Sequence, residues 1–205
     1  MAEAKRLVIF GDSIAKGVMF QDGRYHLCRA HDFDALAQQG VEVLNFAKMG
    51  ACTDTGLAIA KKQLELCQGA QVLLSFGGND CDFDWQAVSD HPEEAHLPKI
   101  PAEQFLENYR ALMDLVRQTV WISSLVPLEA HRFLDHVSQG RSRENILTWL
   151  GDTDRIFRWQ EYYNDLVCKL ARELSCPLLE LRPEFLKHPA FPALLSMDGI
   201  HPTQK

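Results

Sequence analysis

The chain has 205 residues, 46% of them hydrophobic and 24% charged, a balance typical of globular proteins. A chain this long buries roughly 70% of its unfolded surface without a disulfide or metal staple, which excludes a disordered, fibrous or disulfide-scaffold protein. Its 21 Lys and Arg against 28 Asp and Glu give a formal charge of −7, with no dense basic run; such a surface repels phosphate backbones, so nucleic acid is not an expected partner.

In chain order, Met1 to Arg6 precede a four-residue apolar run, Leu7 to Phe10, that stops at Gly11. The run is too short for a signal-peptide core and reads as a buried strand. Val41 to Phe46 is a second strand. Thr53 or Thr55 is the expected cap of a helix whose apolar positions Leu57, Ala60, Leu64 and Cys67 step by 3, 4 and 3 before Gly69. Gln71 to Phe76 is the third strand. Cys81 to Pro101, acidic and without periodicity, reads as a long loop of the kind that often carries function, here a substrate lid. Phe105, Tyr109, Leu112 and Val116 mark a helix, and Val120 to Leu125 the fourth strand. Residues 129–151 give no clear pattern beyond one or two short helices. Trp159, Tyr163, Leu166, Leu170 and Leu174 mark a long helix, and Leu178 to Leu181 the fifth strand.

No stretch reaches the ~18 apolar residues of a membrane span. The expectation is a cytoplasmic protein without stable membrane insertion, forming a single domain over residues 1–205. The six cysteines (Cys28, Cys52, Cys67, Cys81, Cys168 and Cys176) contain no C-x-x-C pair, so neither a zinc ribbon nor a thioredoxin-type site is signalled. Reduced thiols are expected, with Cys67 and Cys168 in helix cores.

Alternating strands and helices imply right-handed crossovers and a parallel sheet between helical layers. Such sheets bind ligands beyond the carboxyl ends of their strands, and polar motifs follow the strands here. After the first comes Gly11-Asp12-Ser13-Ile14-Ala15-Lys16-Gly17, which places Ser13 on a strand-to-helix turn with its N–H at a helix N-terminus; alone it is also an ordinary turn and cap. Gly50 follows the second strand, where it offers an unobstructed N–H or is merely a loop glycine. Gly77-Gly78-Asn79-Asp80 follows the third, as a donor to the crevice or as an Asx turn. After the fifth comes Asp198-Gly199-Ile200-His201, whose spacing lets a carboxylate orient an imidazole, although D-x-x-H is common in surface loops.

Taken together and in this order, the four blocks resemble the SGNH hydrolases, also called GDSL esterases and lipases, from Leu7 to Pro202. The resemblance implies an α/β fold, a flavodoxin-like three-layer α/β/α sandwich with a five-stranded parallel sheet. It implies Ser13 as nucleophile, His201 as general base and then acid, and Asp198 as its orienting carboxylate. The N–H groups of Ser13 and Gly50 and the amide of Asn79 would form the oxyanion hole, with no cofactor. It also implies a C-terminal helix; the sequence ends at Lys205, four residues past His201, so a shortened form with an open groove beside the sheet is expected. A homo-oligomer fits such a groove, but no residue pattern encodes one. The reading that follows is a serine ester hydrolase for a small-molecule ester, on small or carbohydrate-linked acyl groups such as acetyl. An acyltransferase, a lysophospholipase or a thioesterase would use the same residues, and a phosphate-binding flavodoxin-like module is the reading from another class.

Phe83 and Trp85 must lie near the crevice mouth, as walls of an acyl or alcohol pocket or as packing under the loop. Asp82, Asp84, His91 and His96 lack ligand spacing, so no metal site is expected. His131 and His136 read as solvated surface, Trp149 and Trp159 as core or interface, and Asp12 as a brace of the Ser13 turn.

Overall fold

The structure, a computed structural model, describes residues 5–28 and 33–204. Met1–Ala4, part of the stretch read for a leader, lie outside the described residues. The chain runs β1 (Lys5–Gly11), β2 (Val18–Gln21), β3 (Arg24–Leu27), α1 (Asp34–Gln38), β4 (Val41–Asn45), α2 (Thr53–Lys62), α3 (Leu64–Cys67), β5 (Gln71–Ser75) and α4 (Trp85–Asp90). It continues α5 (Ala102–Val116), β6 (Thr119–Ser123), α6 (Ala130–Val137), α7 (Arg143–Leu150), α8 (Asp154–Glu173), β7 (Leu178–Leu179), α9 (Leu181–Leu186) and a 3₁₀ turn (Phe191–Leu194).

Five strands form one sheet in the order β4-β1-β5-β6-β7, every pair parallel and flanked by helices. This is the five-stranded parallel sheet of the flavodoxin-like α/β fold that the resemblance implied. The register explains the core. Val8 pairs with Val72 and Val72 with Val120, while Phe10 pairs with Leu74 and Leu74 with Ile122. Paired residues of a parallel ladder point to the same face, so these six line one side of the sheet. All are buried, in one cluster with Ala60 of α2, Phe105, Tyr109 and Leu112 of α5, and Tyr163, Val167 and Leu170 of α8. Among the described residues no helix is long and apolar enough to cross a membrane.

The elements depart from the sequence reading in five places. No helix follows Ser13: residues 13–17 are a turn that leads into the antiparallel hairpin β2–β3. The helix expected through Cys67 breaks at Gln63, whose φ of −119° and ψ of 16° end α2 before α3 begins. Neither Thr53 nor Thr55 caps α2; the Thr53 N–H donates instead to Oδ1 of Asp80, 2.8 Å away on the loop after β5. Within residues 81–101, six residues form α4, too few to display a helical period, capped by Asp84 accepting from the N–H groups of Gln86 and Ala87. The fifth strand ends at Leu179, because Leu181 already opens α9, whose Arg182 N–H donates to the Ser124 hydroxyl.

Candidate active site

The carboxyl ends of β1 and β5 set the position of Ser13. Gly11 closes β1 where a Cβ would stand 2.6 Å from Cβ of Ala15 and 2.8 Å from the Ser75 carbonyl, so only glycine lets the two strands and the turn meet. The Asp12 N–H donates to Ser75 O (3.2 Å), and the Val18 N–H to Ser13 O (2.9 Å). Oδ1 of Asp12 accepts from the Ile14 N–H at 2.9 Å, so Asp12 braces the turn.

The loop carrying His201 rests on α6, inside the segment that the sequence left unread. The Glu129 N–H donates to Gly199 O at 2.8 Å, and Nη1 of Arg132 donates to the carbonyls of Pro192 (2.6 Å) and Leu195 (3.0 Å). Gly199 has φ of +74°, and a Cβ there would lie 2.5 Å from Glu129 O. Oδ1 of Asp198 accepts from the N–H groups of Ile200 and His201, each at 3.1 Å.

These two loops bring three side chains into a row. Nδ1 of His201 lies 2.6 Å from Oδ2 of Asp198, and Nε2 lies 2.8 Å from Oγ of Ser13. With the Nδ1 proton donated to the carboxylate, Nε2 is the acceptor for the serine hydroxyl. Relative exposures are 0% for Asp198, 5% for His201 and 7% for Ser13. Burial pushes the Asp198 carboxyl up, but its hydrogen bond to His201 and the two backbone N–H donors outweigh that and hold it below the ordinary carboxylate range.

Gly50, exposed with φ of +72°, sits in the turn after β4. Asn79 approaches the same turn, its Nδ2 donating to Ala51 O at 3.2 Å, which uses one of its two amide hydrogens. Among the described residues no hydrogen bond is made by the N–H of Ser13 or of Gly50.

One residue beside His201, Tyr25, escaped the sequence reading. The Tyr25 ring, on β3, meets the His201 ring edge-on with centroids 5.3 Å apart, and its hydroxyl lies 3.3 Å from Nε2 of His136. His136, read as solvated surface, is half-buried and packs against Phe20 at 5.2 Å. The local signal was Asp22-Gly23: both residues have positive φ (52° and 74°), as a two-residue hairpin turn requires.

A cavity opens beside Ser13 and His201. Its apolar lining includes Leu125, Val126, Leu128, Phe83, Trp85, Phe133, Leu150, Ile156 and Trp159. Phe83 and Trp85 therefore both pack as core and line the cavity, and Trp159, read as core or interface, lines it too.

Other polar groups in this region are engaged elsewhere. Asp82 accepts from Nε1 of Trp85 and pairs with Lys99, while Nε2 of His96 contacts the His91 carbonyl. Among the described residues one group of three acidic and imidazole side chains lies close enough together to share an ion, His91, Glu93 and Glu94, all exposed. The six cysteines are free; Cys67 is buried and Cys168 half-buried.

Residues 9–205 match the model of the GDSL-like Lipase/Acylhydrolase family, and the chain belongs to that family. Among solved structures it is similar to a lipase/acylhydrolase from Enterococcus faecalis, with TM-score 0.66 and 19% identity, covering 98% of this chain and 88% of that one. It is also similar to Axe2, an acetylxylan esterase from Geobacillus stearothermophilus, with TM-score 0.65, 17% identity, and coverage of 99% and 89%. A third is LAE5 from the metagenome of Lake Arreo, Spain, with TM-score 0.63, 21% identity, and coverage of 99% and 89%. No curated protein matches the chain by sequence.

Proposed function

We propose that the chain is a serine-dependent carboxylic ester hydrolase in which Ser13, His201 and Asp198 act as a catalytic triad. The observation that carries the proposal is the buried row from Asp198 through His201 to Oγ of Ser13, 2.6 Å and 2.8 Å long at its two links, in a chain of an acylhydrolase family. A serine hydroxyl is a poor nucleophile near neutral pH and needs an adjacent base. Here Oγ attacks the ester carbonyl carbon as its proton passes to Nε2, and Asp198 holds the ring and stabilises the imidazolium. The tetrahedral oxyanion takes hydrogen bonds from the N–H groups of Ser13 and Gly50 and from the second amide hydrogen of Asn79. Collapse expels the alcohol, which receives the proton from Nε2. Water, deprotonated by the same nitrogen, then cleaves the acyl-serine and regenerates the hydroxyl.

The test is covalent labelling with a fluorophosphonate probe, the adduct mapped by mass spectrometry. Labelling is expected at Ser13 and is lost in Ser13→Ala and His201→Ala, with turnover of an aryl ester reduced by about 10⁴-fold or more. Asn79→Ala is expected to lower kcat by about 10²–10³-fold, the usual effect of removing one oxyanion donor. A folded protein that is not labelled, or is labelled at another residue, overturns the assignment. Small acyl groups such as acetyl, free or on sugars, are the substrates favoured by the sequence, and the Geobacillus neighbour is titled an acetylxylan esterase.

A further inference from the structure

We infer that Thr53, Asp80 and Asn108 form a buried clamp that sets the spacing between the oxyanion donors Gly50 and Asn79, with Thr53 as its central positioning residue. The inference rests on the serine-hydrolase reading above and adds residues that act on the reaction without touching the substrate.

The need for a clamp follows from where the two donors sit. Gly50 follows β4 and Asn79 follows β5, and these strands are not neighbours, because β1 lies between them in the sheet. No ladder hydrogen bond therefore fixes one loop against the other. An oxyanion is stabilised only by donors about 2.7–3.1 Å away, so a small shift of either loop weakens one of them.

Three hydrogen bonds cross the gap. Nδ2 of Asn79 donates to Ala51 O at 3.2 Å. The N–H and the hydroxyl of Thr53 both donate to Oδ1 of Asp80, at 2.8 Å and 2.6 Å. Ala51 directly follows Gly50, and Asp80 directly follows Asn79, so each bond ties one donor's loop to the other's. The Thr53 hydroxyl in turn accepts from Nδ2 of Asn108 at 3.0 Å, and Oδ1 of Asn108 accepts from Nε2 of Gln104 at 3.0 Å. The chain of donors thus runs one way, from α5 through Thr53 to Asp80, and uses the hydroxyl as donor and acceptor at once. The same helix holds the loop after β5 a second time. The Tyr109 hydroxyl lies 3.0 Å from both the N–H and the carbonyl of Phe76, just before Gly77. Helix α5 is therefore the common floor of both loops.

Packing alone does not call for these groups. Thr53, Asp80 and Asn108 are all buried, and Oδ2 of Asp80 has no partner among the described residues. Apolar groups of the same shape in place of such a set can be nearly neutral or stabilising. What the bonds supply is direction and distance: two donors from the residue that opens α2 converge on one oxygen of the residue beside Asn79.

The experiment compares Thr53→Val, which keeps the shape and the backbone N–H but removes the hydroxyl, with Thr53→Ser, which restores it, and with Asn108→Ala. Each is made in the parent and in Asn79→Ala. Turnover of an aryl acetate, fluorophosphonate labelling of Ser13 and urea unfolding are read on the same preparations. Acylation and deacylation both pass through an oxyanion, so kcat reads the clamp whichever step is slower. We expect Thr53→Val to lower kcat about tenfold, a part of the 10²–10³-fold lost with a whole donor, with KM changed by less than about twofold. Thr53→Ser should return kcat to within about twofold of the parent, and Asn108→Ala should lower it about threefold. In Asn79→Ala the clamp has lost the donor it positions. There Thr53→Val should lower kcat by less than about threefold and Asn108→Ala should change nothing, the non-additivity of coupled residues. Should Thr53→Val fail to fold, the same comparison is read from Asn108→Ala. Equal losses in both backgrounds, no return in Thr53→Ser, or parental kcat in the folded variants would overturn the clamp and leave the hydrolase reading intact. A parent chain that neither labels at Ser13 nor turns over any ester would overturn both.

Discussion

Asp12, Asp80 and Asp198 are all buried around the Ser13 turn, yet their surroundings drive them in opposite directions. Asp198 meets a ring N–H and two backbone N–H groups, so its carboxylate is held low; the stability it contributes is present at neutral pH and is lost only as pH falls through its depressed value. For Asp12 and Asp80 burial dominates, and both are pushed up to about 6 despite the donors that face them. Asp80 accepts from the N–H and hydroxyl of Thr53, and its Oδ2 has no partner among the described residues. A raised carboxylate has the reverse linkage: the folded state holds the proton more tightly, so stability falls as pH rises between the unfolded value near 4 and the folded value near 6. Asp80→Asn cannot ionise. Its stability relative to the parent is therefore expected to rise by up to about 2–3 kcal/mol from pH 4 to pH 7, read from urea unfolding at each pH. A difference that stays flat across that window would contradict an ionised, strained Asp80.

The hairpin β2–β3 shows how an element can complete a site without carrying any recognisable motif. Phe20 pairs with Tyr25 across the ladder, their rings 4.9 Å apart, and Tyr25 reaches both His201 and His136. An aromatic pair of this kind is worth about 0.5–1.5 kcal/mol beyond area burial. If Tyr25 positions the His201 ring by its face and edge, Tyr25→Phe should keep kcat within about twofold, whereas Tyr25→Ala should lower it by about 2- to 10-fold with little change in KM. Equal losses in both variants would instead assign the effect to the hydroxyl and His136. In the sequence, Ser13, Gly50, Asn79, Asp198 and His201 could be picked out because their four blocks, taken together and in order, resemble the SGNH hydrolases, although α9 and the 3₁₀ turn stand between β7 and Asp198. Tyr25 could not: its partner His136 lies 111 residues away, and four-residue strands are too short to show alternation clearly. The Asp22-Gly23 turn was the available local clue.

The same distinction holds for the chain as a whole. The chain order of five strands was legible because each holds apolar residues with a glycine or proline near one end, although β4 and β7 contain no buried residue. What 129–151 does was not, because α6 and α7 are eight residues each and their apolar positions serve a second cluster, with Phe83, Trp85, Phe133 and Leu150, and not the sheet. Ile200, beside His201, packs against that cluster. Ser13 and His201 are 188 residues apart, and α6 holds the later of the two through Gly199 O and the Arg132 guanidinium. The docking leaves no room for a side chain at Gly199, where a Cβ would approach Glu129 O to 2.5 Å and the Phe133 N to 2.8 Å at a φ of +74°. Gly199→Ala must therefore lift the loop off α6 or strain it, at a cost of about 1–3 kcal/mol. Because the atoms nearest Gly199 belong to Glu129, Arg132 and Phe133 and none to the sheet, the lesion should fall on the site more than on the fold: fluorophosphonate labelling of Ser13 slowed about tenfold or more, against a modest drop in unfolding midpoint in urea. If the variant labels at the parental rate, His201 is held by its own loop, and α6 has no part in presenting it to Ser13.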